Sequence, residues 1–251
     1  MESEKHSKML NNLELDIVKK GFEWLSAQQI QSVKELSSTL SAHALLALPN
    51  PHITRLIITQ ENDGSWNSSI RDTARACSAL STEGIVFMAS ARWLLARKTG
   101  NSWNRDVYDT TYALAALADM GTQDRDGCRW LYEHYCPAWE QVGTTSLIIT
   151  ALKKQDNLAK SKTFEAFIRE KSEWILSERG PDGGWKHIST SNLAIQALLL
   201  AGFKEELEAS IHWLLENVHE SGAWGNNGDD INATALTLST LGLYKKFQEN
   251  D

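Results

Sequence analysis

Apolar residues recur along this chain at three- and four-residue spacing, in segments separated by short polar turns. Two representative segments are ASARWLLARK at 89–98 and DTTYALAAL at 109–117. This spacing places the apolar side chains on one face of a helix, and the strict alternation typical of strands is absent. The pattern therefore predicts an all-α protein.

The ten tryptophans divide the helical segments into two kinds. Five lie inside a helical segment: Trp24, Trp93, Trp130, Trp174 and Trp213. Five lie in or beside turns: Trp66, Trp103, Trp139, Trp185 and Trp224. In four cases a turn tryptophan follows a helical one by 9 to 11 residues, and a second helix rich in Ala, Ser and Thr comes next. We expect the turn tryptophans to be buried between neighbouring repeats.

Six such repeats, starting near residues 14, 52, 86, 126, 165 and 204, cover the chain, and the first has lost its turn tryptophan. Six helix pairs fit either an open solenoid or a closed ring. We favour the ring, because neither terminal repeat is a polar cap and small-residue helices suit a crowded inner layer. The prediction is a single α6/α6 toroid over residues 13–244, with a flexible tail at 1–12 and a C-terminal tail at 245–251.

Composition limits the classes of partner. The 251 residues carry 25 Lys and Arg against 32 Asp and Glu, a net charge of −7, which disfavours nucleic acid and anionic lipid as partners. Three cysteines suggest no disulfide framework, and no apolar run approaches the roughly 20 residues of a membrane span. The first ten residues are too polar for a signal peptide. We therefore expect a cytoplasmic protein without a membrane span.

The segments KGFEWLSAQ, QENDGSW and GPDGGW resemble the two halves of the QW motif of squalene-hopene cyclases and related class II terpene cyclases. The same toroid occurs in protein prenyltransferase β subunits. The resemblance extends over residues 14–244 and covers one toroid, whereas triterpene cyclases have two. It implies an α/α toroid in which QW motifs brace the outer helices, and an isoprenoid or other apolar chain as ligand.

Enzymes of this family protonate their substrate with the middle aspartate of an Asp-x-Asp-Asp-Thr motif at the start of an inner helix. The segment 227–230 keeps a middle acid, Asp229, followed by Asp230. The segment 106–110 has Tyr108 in the middle place and keeps Asp109, and the segment 69–73 has Arg71 there. The resemblance therefore points to Asp229 as the proton donor. The alternative is that all three segments only cap helices.

A toroid gathers the N-termini of its inner helices at one mouth, so we expect the other acids to lie around Asp229. Asp230 and Asp109 are predicted to assist catalysis. The predicted substrate-binding residues are Asp72, Tyr108, Tyr112, His43 and Arg71. Arg71, Arg75 and Arg105 are the clustered cations that could hold a diphosphate, with surface ion pairing as the alternative. For His43 the alternative is a satisfied core histidine.

A prenyltransferase-type zinc site would need Asp126, Cys128 and His187. Asp126 and Cys128 open a predicted outer helix, whereas His187 precedes an inner helix, so the three should lie at opposite ends of the toroid. We therefore predict no metal and no cofactor.

The predicted function is that of a terpene-cyclase-like protein binding an isoprenoid or other apolar chain in the toroid, with acid-initiated cyclisation or isomerisation. Aromatic side chains are scarce in the predicted inner helices, which argues against an orthodox cyclase because ring faces stabilise carbocations. The alternative is a non-catalytic toroid that binds a protein partner or a ligand.

Overall fold

The structure, a computed structural model, describes residues 15–249, so the predicted tail at 1–12 lies outside the described residues. Residues 15–249 form twelve α-helices and no β-strand. The helices are α1 (residues 15–26), α2 (Val33–Leu45), α3 (Ile53–Ile58), α4 (Ile70–Thr82), α5 (Met88–Ala96), α6 (Val107–Asp119), α7 (Arg125–Glu133), α8 (Val142–Ala159), α9 (Glu165–Ser177), α10 (Ile188–Ala201), α11 (Glu208–Glu216) and α12 (Ile231–Glu249).

The even-numbered helices form a closed inner ring. Each packs against the next in the order α2, α4, α6, α8, α10 and α12, and α12 returns to pack against α2. The odd-numbered helices lie outside this ring; α7, for example, contacts α6 and α8, and α9 contacts α8 and α10. The predicted α6/α6 toroid is therefore confirmed.

Small side chains allow the inner helices to approach one another closely. The buried alanines of this layer are Ala42, Ala74, Ala76, Ala79, Ala113, Ala116, Ala151, Ala194, Ala197, Ala233 and Ala235. Close approach matters because six helices must fit around one axis and still pack at the density of a protein interior.

The turn tryptophans clamp the two helices of a repeat together. Four indole N–H groups donate to a carbonyl of their own outer helix: Trp66 to Leu56 at 2.9 Å, Trp103 to Leu94 at 2.7 Å, Trp185 to Ile175 at 2.7 Å and Trp224 to Leu214 at 2.7 Å. Their backbone N–H groups donate to a hydroxyl of the inner helix: Trp66 to Thr73, Trp103 to Thr110, Trp185 to Ser191 and Trp224 to Thr234. These four side chains are at most 3% exposed, as predicted.

The fourth repeat departs from this pattern. Trp139 is only half-buried and ends a short 3-10 turn that begins at Pro137. Its ring lies 5.7 Å from that of Trp130, and its carbonyl accepts a hydrogen bond from Thr145 at 3.3 Å. The expectation of burial therefore holds fully for four turn tryptophans. Proline at the start of the turn fixes the backbone differently from the glycine-containing turns.

Three turn glycines let one repeat contact the outer helix of the next. Each has positive φ, and a Cβ there would lie within 3.0 Å of the neighbouring repeat: Gly64 against Ala89, Gly183 against Ala209 and Gly222 against Lys20. The last of these contacts joins the sixth repeat to the first. The ring therefore closes through the same kind of contact that joins successive repeats.

The C-terminus differs from the prediction. Helix α12 continues to Glu249, so residues 245–249 are helical where a tail was predicted. Phe247 packs against the core, and Lys245 lies 3.9 Å from Glu249 one turn later. An apolar side chain at the right helical phase extends the helix into the predicted tail.

We predict that Trp103→Ala lowers the free energy of unfolding by about 3–5 kcal/mol, because it removes a fully buried indole and its hydrogen bond. Trp139→Ala should cost clearly less, since that ring is half-buried. Urea unfolding of both variants measures the difference. Equal losses would contradict the clamping role of the buried indoles.

We also predict that Gly222→Ala destabilises more than Gly121→Ala. Both glycines have positive φ, but a Cβ at Gly121 meets nothing within 4 Å, whereas one at Gly222 meets Lys20 at 2.8 Å. The Gly121 variant therefore measures backbone strain alone, about 1–2 kcal/mol. Gly222→Ala should add about 1–3 kcal/mol for the steric clash at ring closure. Matching losses in urea unfolding would show that this contact does not constrain the ring.

Candidate functional site

Each inner helix has one partly exposed face. In α4, α6, α8, α10 and α12 a hydroxyl at a shared position allows these faces to be compared residue by residue. A hydroxyl four residues after the N-cap bonds to the backbone of the turn tryptophan: Thr73, Thr110, Thr145, Ser191 and Thr234. Outer helices and neighbouring inner helices cover the other faces. The partly exposed positions therefore line the lumen, the space enclosed by the inner ring.

Counting from this hydroxyl, the lumen positions form four layers. The first layer, at the mouth, is Arg71, Tyr108, Gly143, Ser189 and Asn232. The second is Arg75, Tyr112, Leu147, Leu193 and Leu236. The third is Ser78, Ala115, Thr150, Gln196 and Ser239. The fourth is Thr82, Asp119, Lys154, Leu200 and Leu243. Successive layers are three or four residues apart, the spacing of one helix face.

The lumen is accessible to solvent well below its mouth. Every side chain of the second layer is partly exposed, and in the third layer only Ser239 is buried. Side chains that filled the ring would bury one another at this depth. The inner helices therefore enclose an accessible space.

The second layer has two unlike walls. Arg75 and Tyr112 lie on the neighbouring helices α4 and α6, while the leucines lie on α8, α10 and α12. The order of helices around the ring places α10 opposite α4 and α12 opposite α6. Leu193 and Leu236 therefore face a cationic and aromatic wall across the lumen.

Arg71 is fixed by carboxylates of the next repeat. Its Nε donates to Asp109 at 2.5 Å and its Nη2 to Asp106 at 2.9 Å. Its guanidinium lies 5.4 Å from the ring centre of Tyr108, whose hydroxyl is 3.0 Å from the hydroxyl of Thr144. Arginine and carboxylates thus join α4 to α6 at the mouth.

Arg75 lies one turn further into the lumen. Its guanidinium lies 4.5 Å from the ring centre of Tyr112, and its Nη1 is 3.3 Å from a carboxylate oxygen of Asp72. The other oxygen of Asp72 accepts a hydrogen bond from Asn67 at 3.0 Å. The cluster at this mouth contains five of the predicted site residues: Asp72, Asp109, Arg71, Tyr108 and Tyr112.

The motif copy in the last repeat is displaced from where the sequence places it. Ser69 and Asp106 cap α4 and α6 by accepting from the N–H three residues later, and Asp230 does the same for α12, accepting from Ala233 at 2.6 Å. Asp230 therefore corresponds to Asp106, the first position of the motif, and it caps α12; its catalytic role stays a prediction from the sequence. The middle position of the third copy is Asn232. All three copies thus lack a carboxylate at the family's acid position.

Asp229 precedes the cap and contacts the outer layer. Its carboxylate is 2.7 Å from Nδ1 of His219. Hydrogen bonds from His219, and then from Ser221 and Trp24, lower the pKa of Asp229 below its ordinary value. A proton donor needs the opposite shift. These contacts favour a role for Asp229 in joining the sixth repeat to the first, and its acid role stays a prediction from the sequence.

His43 also lies outside the lumen. It is 7% exposed, its Nδ1 is 2.8 Å from the carbonyl of Thr39, and its ring meets those of Phe22 and His52 edge-on. Helix α1 carries Phe22, so His43 faces the outer layer. These contacts are those expected of a core histidine, the alternative given above, and its role in substrate binding stays a prediction from the sequence.

Residues 15–249 contain no group of three or more His, Cys, Asp or Glu side chains that could hold a metal ion. Of the zinc candidates, Cys128 is buried on α7, and burial raises the pKa of its thiol to about 12. A protonated thiol is a poor metal ligand. Among the same residues, no helix is long and apolar enough to cross a membrane.

We predict that Asp229→Asn lowers the free energy of unfolding at pH 7, because the amide lacks the charge that His219 stabilises. A carboxylate whose pKa is lowered by folding contributes stability above its ordinary pKa of about 3.9, and this contribution disappears as the pH falls through the lowered pKa. The variant should therefore differ from the wild type fully at pH 7 and progressively less below about pH 4.

Urea unfolding at pH 7 and pH 3 measures this difference. Asp126→Asn is the matched control, because Asp126 is 60% exposed and its contact with Arg129, at 3.7 Å, is too long for a hydrogen bond. A loss in Asp229→Asn that is equal at both pH values would contradict a role through charge.

The sequence matches no family model, and no curated protein is significantly similar. Among solved structures, the type II terpene cyclase MstE from Scytonema is similar over 94% of this chain and 98% of its own, at 15% identity. The TM-score is 0.64 for a variant in complex with its substrate geranylgeranyl dihydroxybenzoate and 0.67 for an apo variant. This chain therefore has the fold of a type II terpene cyclase.

Proposed function

We propose that the protein binds one isoprenoid-like apolar chain within the lumen. The observation that carries the proposal is the second layer, which is accessible from the mouth and presents leucines on three consecutive helices. Burying a methylene group contributes about 0.8 kcal/mol, so a chain of fifteen or twenty carbons would gain affinity mainly from this wall. The MstE structure, a protein of similar fold in complex with its substrate geranylgeranyl dihydroxybenzoate, supports the choice of ligand.

The side chains around the lumen favour binding over acid-initiated cyclisation or isomerisation. Protonating an alkene requires a carboxylic acid that is kept protonated at neutral pH. The acid position of the motif holds Arg71, Tyr108 and Asn232, and none of these three side chains is a carboxylic acid. Asp119, in the fourth layer, is paired with Lys154 at 2.7 Å. A protein partner and a cytoplasmic location stay predictions from the sequence.

We predict that filling the lumen abolishes binding. Ala115→Trp places an indole in the third layer, and geranylgeraniol binding, measured by isothermal titration calorimetry, should weaken at least tenfold, which is about 1.4 kcal/mol. Leu95→Trp is the control, because Leu95 lies on outer helix α5 and is 38% exposed. Equal affinity of both variants for geranylgeraniol would contradict binding in the lumen.

Product analysis separates binding from catalysis. After incubation with geranylgeraniol and with geranylgeranyl diphosphate, gas chromatography should recover both unchanged apart from spontaneous hydrolysis. A cyclised product that is formed by the wild type and lost in Asp109→Asn would overturn the binding role and restore the predicted enzyme.

A further inference from the structure

Arg75 is the least satisfied cation of the lumen layers. Arg71 has a carboxylate oxygen at 2.5 Å and Lys154 has one at 2.7 Å, whereas the carboxylate nearest to Arg75 is Asp72, at 3.3 Å. Among the described residues, Nε and Nη2 of Arg75 have no hydrogen-bond partner. The side chain is nevertheless only 22% exposed. An anion or acceptor that entered the lumen would complete the hydrogen bonds of this guanidinium.

The position of Arg75 is fixed by its neighbours. The Tyr112 ring lies under the guanidinium at 4.5 Å, and Asp72 holds Nη1 from the preceding turn. A guanidinium placed over an aromatic ring presents its remaining N–H groups in a planar fork, which matches the two oxygens of a carboxylate. The leucines of the second layer lie across the lumen from this fork.

We propose that Arg75 binds the carboxylate of a ligand whose apolar chain occupies the leucine wall. The inference rests on the proposed function and adds the chemistry of the head group and its orientation. The carboxylate lies between α4 and α6, near the mouth, and the chain extends toward Leu193 and Leu236. The ligand class is therefore an isoprenoid-like monocarboxylic acid.

Charge at the mouth selects a single negative charge over a diphosphate. Around Arg71 and Arg75 lie three carboxylates, those of Asp72, Asp106 and Asp109. The group thus carries two positive and three negative charges. A diphosphate would bring further negative charges close to these carboxylates, and like charges repel one another at short distance. A carboxylate needs only the free fork of Arg75.

The test compares three ligands that share one fifteen-carbon chain: farnesoic acid, farnesol and farnesyl diphosphate. Binding to the full chain is measured by isothermal titration calorimetry at pH 7.5, where farnesoic acid is ionised. The wild type should bind farnesoic acid at least tenfold more tightly than farnesol and more tightly than the diphosphate. Arg75→Gln should remove the preference for the acid and leave farnesol affinity within about twofold. Arg75→Lys should restore part of the preference.

Arg55→Gln is the matched control, because Arg55 is exposed on outer helix α3 and should leave all three affinities unchanged. Circular dichroism and urea unfolding verify that each variant is folded. Equal binding of farnesoic acid and farnesol by the wild type would overturn the head-group assignment and leave the proposed function intact. Tightest binding of the diphosphate would also overturn it. If none of the three ligands bound, the proposed function itself would fail.

Discussion

The toroid depends on one repeated clamp, in which a buried turn tryptophan hydrogen-bonds to both helices of its repeat. The indole N–H holds a carbonyl of the outer helix, and the backbone N–H holds a hydroxyl of the inner helix, as in Trp103 with Leu94 and Thr110. The first bond fixes the distance between the helices, and the second fixes the rotation of the inner helix about its axis. Rotation decides which side chains face the lumen. The clamp therefore determines the chemistry of the lumen as well as the stability of the fold.

The contacts between successive repeats use carboxylates that could otherwise be taken for catalytic groups. Asp63 accepts the indole N–H of Trp93 at 2.8 Å, and Asp182 accepts that of Trp213 at 3.0 Å, each from the following repeat. Asp229 has the same kind of contact with Trp24 across the junction between the last repeat and the first. Carboxylates at this edge of the ring are thus used to join repeats. The second layer of the lumen itself is left with an arginine, a tyrosine and three leucines.

The spacing of the tryptophans was sufficient to predict the repeats and the burial of four turn indoles, because these features depend on local periodicity. The closed ring was predicted from the small-residue inner helices and from the lack of a polar terminal repeat. The expected toroid also predicted that Arg71, Tyr108 and Asp109 lie together at one mouth. The sequence did not predict which residue of the last repeat corresponds to the first position of the motif. Ten residues separate Trp224 from its hydroxyl partner Thr234, against six or seven in the repeats of Trp66, Trp103 and Trp185, so matching by short motif shifted the alignment.

The leucine wall also escaped prediction. Leu147, Leu193 and Leu236 are ordinary apolar residues of helices, and only the position of each hydroxyl shows that they face the lumen. For His43, helical periodicity alone did not decide between the lumen and the outer layer, because the first repeat has no turn tryptophan to fix the rotation of α2. The most direct measurement is a crystal structure with a fifteen-carbon carboxylic acid brominated at its far end. Anomalous density inside the inner ring beside Leu193 and Leu236 is the predicted result, and bromine bound only on the outer surface would contradict it.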